Sequence, residues 1–414
     1  MFDSIKVEKK HFSDYKSIIT PELYEQVLEV AKELKGKRIL EISATAKGGG
    51  VAEILRSQVA LEQDLGIEAH WWVLRGNHDF FETTKMIHNA LQGDRSGPTE
   101  TQWLDYEDLN RQLAAEVKPG DWDYIMVHDP QPLALRQFVP GADKARWAWR
   151  CHIDSSFPNK SVGERIAGYL DNYDGAVFSL KQYYLPHLRG QTVAKHLAAI
   201  PVAIDPLSRK NQGVSHTEAL KRIKALGVDI EHPYIAQISR FDPWKDPLGV
   251  IEAWRLAKQK VPQLQLIMMG DTASDDPEGV RVLEMARADT KGLADVFIVT
   301  ESDDLLVNAV QQTANVVLQK SLREGFGLTV AEALWAGRPV IGGDVGGIPL
   351  QIKNGQDGYL VTSVTAAAER IIELVQNPAK ATAMGQTGRE LVRREFLLPR
   401  LLRDQLRFWV SLEK

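Results

Sequence analysis

Residues 37–74 read KRILEISATAKGGGVAEILRSQVALEQDLGIEAHWWVL, and this stretch decides the fold. Residues 37–44 are rich in branched apolar side chains and predict a strand. Gly48, Gly49 and Gly50 then turn the chain, apolar residues recur with helical period over 51–65, and 68–74 predicts a second strand. Two strands joined by a helix make a βαβ unit, whose strands lie parallel with the helix crossing over one face.

The same alternation continues on both sides. Strands are expected at 122–128 (WDYIMVH), 147–153 and 175–180, with helices between them. The texture changes at 201–231, where Pro201, Pro206 and Gly213 interrupt it and one amphipathic helix spans 218–226. The pattern then restarts, with strands at 234–239, 263–269, 294–300, 315–319 and 338–342 and helices at 247–258, 277–288 and 328–336. Two α/β domains follow from this, residues 1–205 and 206–395, with a deep cleft expected between them. By pattern alone the last helix, 398–409, docks on either. In open parallel sheets ligands sit beyond the carboxyl ends of the strands, so the turns there are the places to search.

Composition closes several doors. At 414 residues the chain is too long for one ordinary core. Its 50 basic against 55 acidic residues, net −5, argue against bulk attraction to nucleic acid or anionic lipid. No apolar run has the length of a membrane helix, and the first twenty residues lack a signal peptide's apolar core, so a cytoplasmic protein is expected. One cysteine, Cys151, excludes an intrachain disulfide or a thiolate cluster and reads as a buried core thiol. Residues 1–35 serve either as an arm for a homodimer or as packing on the first domain.

Two glycine turns suit phosphate. Lys47-Gly48-Gly49-Gly50 follows the first strand, although a tight turn without a ligand fits it equally. Arg323-Glu-Gly-Phe-Gly-Leu-Thr-Val-Ala-Glu332 opens a helix whose first amides, at Gly327, Leu328 and Thr329, have no helical partner. The plainer account of its acids is a cap at Glu324 and a surface glutamate at Glu332. Context weighs against that, because Arg240 and Lys245 in Ser239-Arg-Phe-Asp-Pro-Trp-Lys-Asp246 bring two cations to the same sheet edge. In Trp149-Arg-Cys-His-Ile-Asp-Ser-Ser156, His152 and Asp154 suit sugar hydroxyls, while His152 also fits a structural role. Nothing has zinc spacing, and neither Asp275-Asp276 nor Asp303-Asp304 makes an Asp-x-Asp clamp.

Residues 239–246, the Glu324-x7-Glu332 spacing and His152 resemble the retaining nucleotide-sugar glycosyltransferases of glycosyltransferase family 4, which have the GT-B fold of two Rossmann-like domains. Val127-His-Asp-Pro-Gln-Pro132, residues 149–155 and Ile204-Asp-Pro-Leu-Ser208 narrow the likeness to the glycosyltransferring trehalose synthases, and retaining trehalose phosphorylases are similar. The resemblance implies glucosyl transfer from ADP-, UDP- or GDP-glucose to free glucose, giving α,α-trehalose reversibly. It implies a diphosphate held by Arg240, Lys245, Gly49, Gly50 and the amides of Gly327, Leu328 and Thr329, with the ribose on Glu332. It also implies donor glucose on Glu324 and His152, and an acceptor near Asp154 and the Asn77-His78 turn. It sends helix 396–414 back to the first domain. His152, Arg240, Lys245 and Glu324 are the expected catalytic set. No metal site and no tightly bound cofactor are expected, with assistance by Mg2+ left open. A sugar-binding protein without turnover would use the Trp71-Trp72 pair and leave the cations without a purpose.

Overall fold

The computed structural model describes residues 1–413 except 48, 187, 189–191, 271–276 and 302. The chain divides into two compact units, Met1–Ala203 with Leu398–Lys414, and Ile204–Leu397. Sequence alone puts the joint at 205/206, but the second unit already begins at Ile204. There Ile204 bridges Leu397, and its N–H donates to the Phe396 carbonyl at 2.9 Å. The chain thus enters and leaves that unit side by side, and the helix Leu398–Ser411 belongs to the first. Arg400 secures it by donating to the carbonyls of Pro201 and Val202 at 2.7 and 3.1 Å.

The first unit carries β1 (Phe2–Ile5), β2 (Arg38–Ser43), β3 (Glu68–Leu74), β4 (Tyr124–His128), β5 (Arg146–Cys151), β6 (Gly175–Phe178) and β7 (Leu197–Ala199). Their order is β1-β3-β2-β4-β5-β6-β7, parallel except that β1 runs antiparallel to β3. Trp147, Trp149 and Phe178 are wholly buried in the core on this sheet. Of the two uses weighed for residues 1–35, the fold shows packing. Phe2–Ile5 extends the sheet, and the helix Pro21–Glu33 lies on Leu398–Ser411. Crossovers run outward in both directions from β2, so the strand order reverses between β2 and β4. Neighbouring loops diverge there and leave room for a ligand.

The second unit carries β8 (Tyr234–Ile238), β9 (Gln265–Met269), β10 (Val296–Val299), β11 (Val316–Gln319), β12 (Val340–Gly343) and β13 (Gly358–Val361). All pair in parallel in the order β10-β9-β8-β11-β12-β13, which reverses between β8 and β11. The alternation read from sequence stops at 342 and misses β13 and the helices Val364–Gln376 and Pro378–Glu395. Among the described residues no helix is long and apolar enough to cross a membrane.

Candidate active site

At the reversal of the second sheet, buried amides shape the loops. Gln237 on β8 donates to the Lys245 carbonyl at 2.7 Å, folding residues 239–246 back over the strand end. Asp242 caps the short turn Pro243–Lys245 by accepting from the Trp244 N–H at 2.8 Å. The Leu322 N–H donates to the Trp244 carbonyl at 2.7 Å and ties the loop after β8 to the loop after β11. Lys245 Nζ thereby comes within 2.6 Å of Glu324 Oε2. Gln319 Nε2 and Ser321 Oγ donate to the same oxygen, each at 3.1 Å. A carboxylate so clamped has its orientation set before any ligand arrives.

The helix Leu328–Trp335 starts beside it. Gly327 occupies its N-cap with φ 83°, and a Cβ there would lie 3.2 Å from Glu324 Cγ, so both backbone and space call for glycine. Thr329 Oγ1 donates to the Ile238 carbonyl at 3.0 Å, pinning the helix start to β8. The amides of Gly327, Leu328 and Thr329 thus stand at the same strand ends as Lys245, with the helix dipole adding positive potential. Arg240 is half exposed, its guanidinium 3.7 Å from Asp242. Lys320, which sequence reasoning passed over, is buried and pairs with Asp246.

Neither acid plays the plainer part that sequence left open to it. The cap is Gly327 rather than Glu324, because Glu324 is spent on Lys245 and its neighbours. Glu332 is not a surface glutamate. Its helix turns it inward, where it is 3% exposed, 2.5 Å from Lys210 Nζ and 2.9 Å from Gln311 Nε2.

The first unit has a polar cluster at its own reversal. Glu41 sits in the middle of β2, fully buried, with Oε2 2.6 Å from His128 Nε2 at the end of β4. His128 Nδ1 is 3.0 Å from His152 Nε2, and the two rings are stacked with centroids 5.4 Å apart. Asp129, at the left-handed φ of 58°, accepts from the His152 backbone N–H at 2.9 Å. Gln58 donates to Glu62 at 3.0 Å and to Glu41 Oε1 at 3.4 Å. Buried Arg150 donates to Gln405 at 2.6 Å and to the Ile200 carbonyl at 3.3 Å.

Burial opposes charge throughout this cluster. It pushes the Glu41 carboxyl up to about 8 against the pull of Arg150, and raises Glu62 well above the usual carboxyl range. It lowers His128 to about 3 and His152 well below an ordinary imidazole, with Arg150 acting in the same direction on both. Asp129 rises only to about 6, because the His152 N–H and the charges around it favour its ionised form.

The remaining expected ligands have local structural work. Asp154 accepts from the backbone N–H of Ser156 at 3.1 Å and from its hydroxyl. Asn77 caps the helix His78–Leu91 by accepting from Phe80 N–H at 2.9 Å. His78 is exposed beside Asp79 and Glu82. Among the described residues no hydrogen bond joins Asn77 or His78 to Asp154. Gly49, φ 83°, is the N-cap of the helix Gly50–Asp64, while Gly48, Asp275 and Asp276 lie outside the described residues. Cys151 is buried and its thiol pushed up by burial, as a core thiol should be.

Sequence reasoning passed over Glu41, Gln237 and Gln319 and gave His128 and Asp129 no role, yet a signal was present. Strands covered on both faces read as unbroken apolar runs. Glu41 in RILEIS, Gln237 in YIAQI and Gln319 in VVLQ break that pattern.

Residues 41–185 match the family described as trehalose synthase, N-terminal domain, and residues 219–391 match glycosyl transferases group 1. A trehalose synthase of Rubrobacter xylanophilus is 44% identical, over 100% of this chain and 99% of its own. The chain belongs to the trehalose synthase family. This family member is therefore a glycosyltransferase. Its GT-B fold is also that of an α,α-trehalose 6-phosphate synthase of Burkholderia multivorans, with TM-score 0.74 and 16% identity over 91% of this chain and 99% of that one. A trehalose phosphorylase of Grifola frondosa is 28% identical over 91% of this chain, which matches 57% of that protein's own length.

Proposed function

We propose that the chain transfers glucose, with retention, from a nucleoside-diphosphate glucose to free glucose, forming α,α-trehalose reversibly. The observation that carries this is the Lys245–Glu324 pair beside the Gly327 helix start, 2.6 Å across, at the reversal of the second sheet. We assign the donor diphosphate to Lys245, Arg240 and the amides of Gly327, Leu328 and Thr329, with Gly49 and Gly50 adding amides from the first unit. An ammonium carries three N–H groups and Glu324 takes one, so Lys245 keeps donors for phosphate oxygens. Glu324 and His152 receive donor glucose, Glu332 the ribose, and Asp154 with Asn77 and His78 the acceptor side.

The bond from the anomeric carbon to the diphosphate oxygen breaks, and the bond to the acceptor oxygen forms on the same face. The acceptor hydroxyl proton passes to the departing diphosphate oxygen, whose growing charge Lys245 and Arg240 stabilise. Glu324 faces Lys245, Gln319 and Ser321, which suits a positioning carboxylate rather than a nucleophile. A phosphorylase, with inorganic phosphate in place of the diphosphate, is the second reading, favoured by the phosphorylase relative.

A screen of ADP-, UDP- and GDP-glucose with free glucose, run with and without a Mg2+ chelator, tests donor class and metal assistance together. Trehalose is expected from at least one donor. Glucose release from trehalose with phosphate, and with no nucleoside diphosphate, would replace this reading with the phosphorylase.

A further inference from the structure

Glu41, His128 and His152 form a hydrogen-bonded line with gaps of 2.6 and 3.0 Å, running from a fully buried carboxyl to a half-buried imidazole. Each gap holds one proton. With Glu41 protonated and both rings neutral, the line carries three exchangeable protons. One lies between Glu41 Oε2 and His128 Nε2, one between His128 Nδ1 and His152 Nε2, and the third must sit on His152 Nδ1. When Glu41 loses its proton only the two gap protons remain, and His152 Nδ1 becomes a bare acceptor. The ionisation of a residue inside β2 is therefore read out at the far nitrogen of His152. The move is balanced, with Glu41 passing a proton to His128, His128 passing one to His152, and His152 Nδ1 releasing one.

We propose that Glu41 and His128 are positioning residues that hold His152 as the Nδ1–H tautomer, so that it donates a hydrogen bond to an oxygen of the donor sugar. The sugar's identity rests on the function proposed above. The surroundings favour the protonated line. Gln58 and Glu62 face Glu41 from the helix Gly50–Asp64, Asp129 faces His152 from the end of β4, and Arg150 faces the cluster from β5. Arg150 is the one cation facing the line among these residues, and Asp129, which ionises more readily than Glu41, balances it. Gln58 donates to Oε1, which leaves Oε2 to carry the proton toward His128.

The test is long-range 1H–15N correlation of the histidine rings in the full chain, with His152 assigned through His152→Gln. Wild type at pH 7 is expected to show His152 protonated at Nδ1 and bare at Nε2, and to switch to Nε2–H in alkali. Glu41→Gln presents an amide N–H to His128 Nε2 as the carboxyl does, so it should keep the Nδ1–H form without the alkaline switch and retain kcat at high pH. Glu41→Leu should mix the tautomers and lower kcat by about ten-fold, the scale of one lost hydrogen bond. Nε2–H on wild-type His152 at pH 7 overturns the proposal, and because that reading needs no variant it stands even where Glu41→Leu fails to fold. So does a folded Glu41→Leu with an unchanged tautomer. The NMR measurement needs no donor, so an empty donor screen removes the substrate reading and leaves the relay to be judged by its ring nitrogens.

Discussion

The two sheets reverse strand order once each, at β2/β4 and at β8/β11, and the polar groups placed there differ in kind. Beside β8/β11 the groups are paired cation to carboxylate, as Lys245–Glu324 and Lys320–Asp246, with Lys210–Glu332 farther along the helix. At β2/β4 they are acids and imidazoles that burial drives toward neutrality. Fixed charge with spare N–H donors suits a diphosphate, whose own charge offsets the cost of burial. A neutral line of hydrogen bonds suits an uncharged sugar, for which donor direction matters more than net charge. The same topology therefore yields two chemistries, according to whether the buried polar residues bring a counter-charge.

The largest effect expected on the charged side comes from Lys245→Ala. It removes a cation assigned to the leaving diphosphate and breaks the ion pair with buried Glu324. We expect kcat to fall by the equivalent of about 2–4 kcal/mol, on the scale of one lost transition-state donor, together with a lower Tm. Near wild-type turnover at saturating donor would erase the distinction between the two reversals.

Glu324→Gln and Glu332→Ala come next and sharpen the picture within the second unit. Glu324 is assigned to the glucose ring, whose anomeric carbon flattens in the transition state, so its loss should depress kcat. Glu332 is assigned to the ribose, distant from the bond that breaks, so its loss should chiefly raise donor KM. Each is expected to cost about 1.5–3 kcal/mol, or ten- to hundred-fold. Glu332→Ala also breaks the buried Lys210–Glu332 ion pair, so Tm should fall as well. If Glu332 only stabilises the fold, Tm falls while donor KM stays put. Steady-state kinetics with donor varied at saturating glucose, alongside thermal melts, separates the two.

The parallel sheets and the shared turn of Arg240 and Lys245 were legible in sequence because they rest on local signals. Apolar runs, glycine at a helix start and Arg240 with Lys245 in one turn all lie within a few residues of one another. The cluster of Glu41, His128 and His152 was not, because it is assembled by pairing β2 with β4 and β4 with β5 from residues far apart along the chain. Lys210 and Gln311 on Glu332 escaped for the same reason. Asn77 and Asp154 also hold local structure, one as a helix cap and the other in a turn with Ser156, uses that their residue types equally allow.

The smallest effect expected is on stability against pH, and it tests whether the first reversal is as neutral as its burial implies. Glu41 lies at about 8 in the fold against 4.5 ordinarily, and Glu62 is raised in the same sense. From about pH 4.5 to 8 the folded chain therefore holds protons that the unfolded chain has released. The Glu41 contribution is complete below 4.5 and is lost as pH rises through 8, and that of Glu62 has the same sign. Asp129 acts likewise between 3.8 and about 6. His128, at about 3 against 6.5, works the other way, because the unfolded chain binds the extra proton and stability rises with pH up to 6.5. His152 shares that sign. The opposing slopes overlap below pH 6.5. Between 6.5 and 8 the histidine contribution is spent and the raised carboxyls act unopposed within this cluster, so Tm should decline. Glu41→Gln cannot lose a proton there, and its Tm should fall less steeply over that window than wild type. Parallel curves would mean that Glu41 is already ionised at neutral pH, and the first reversal would then be a second charged site rather than a neutral one.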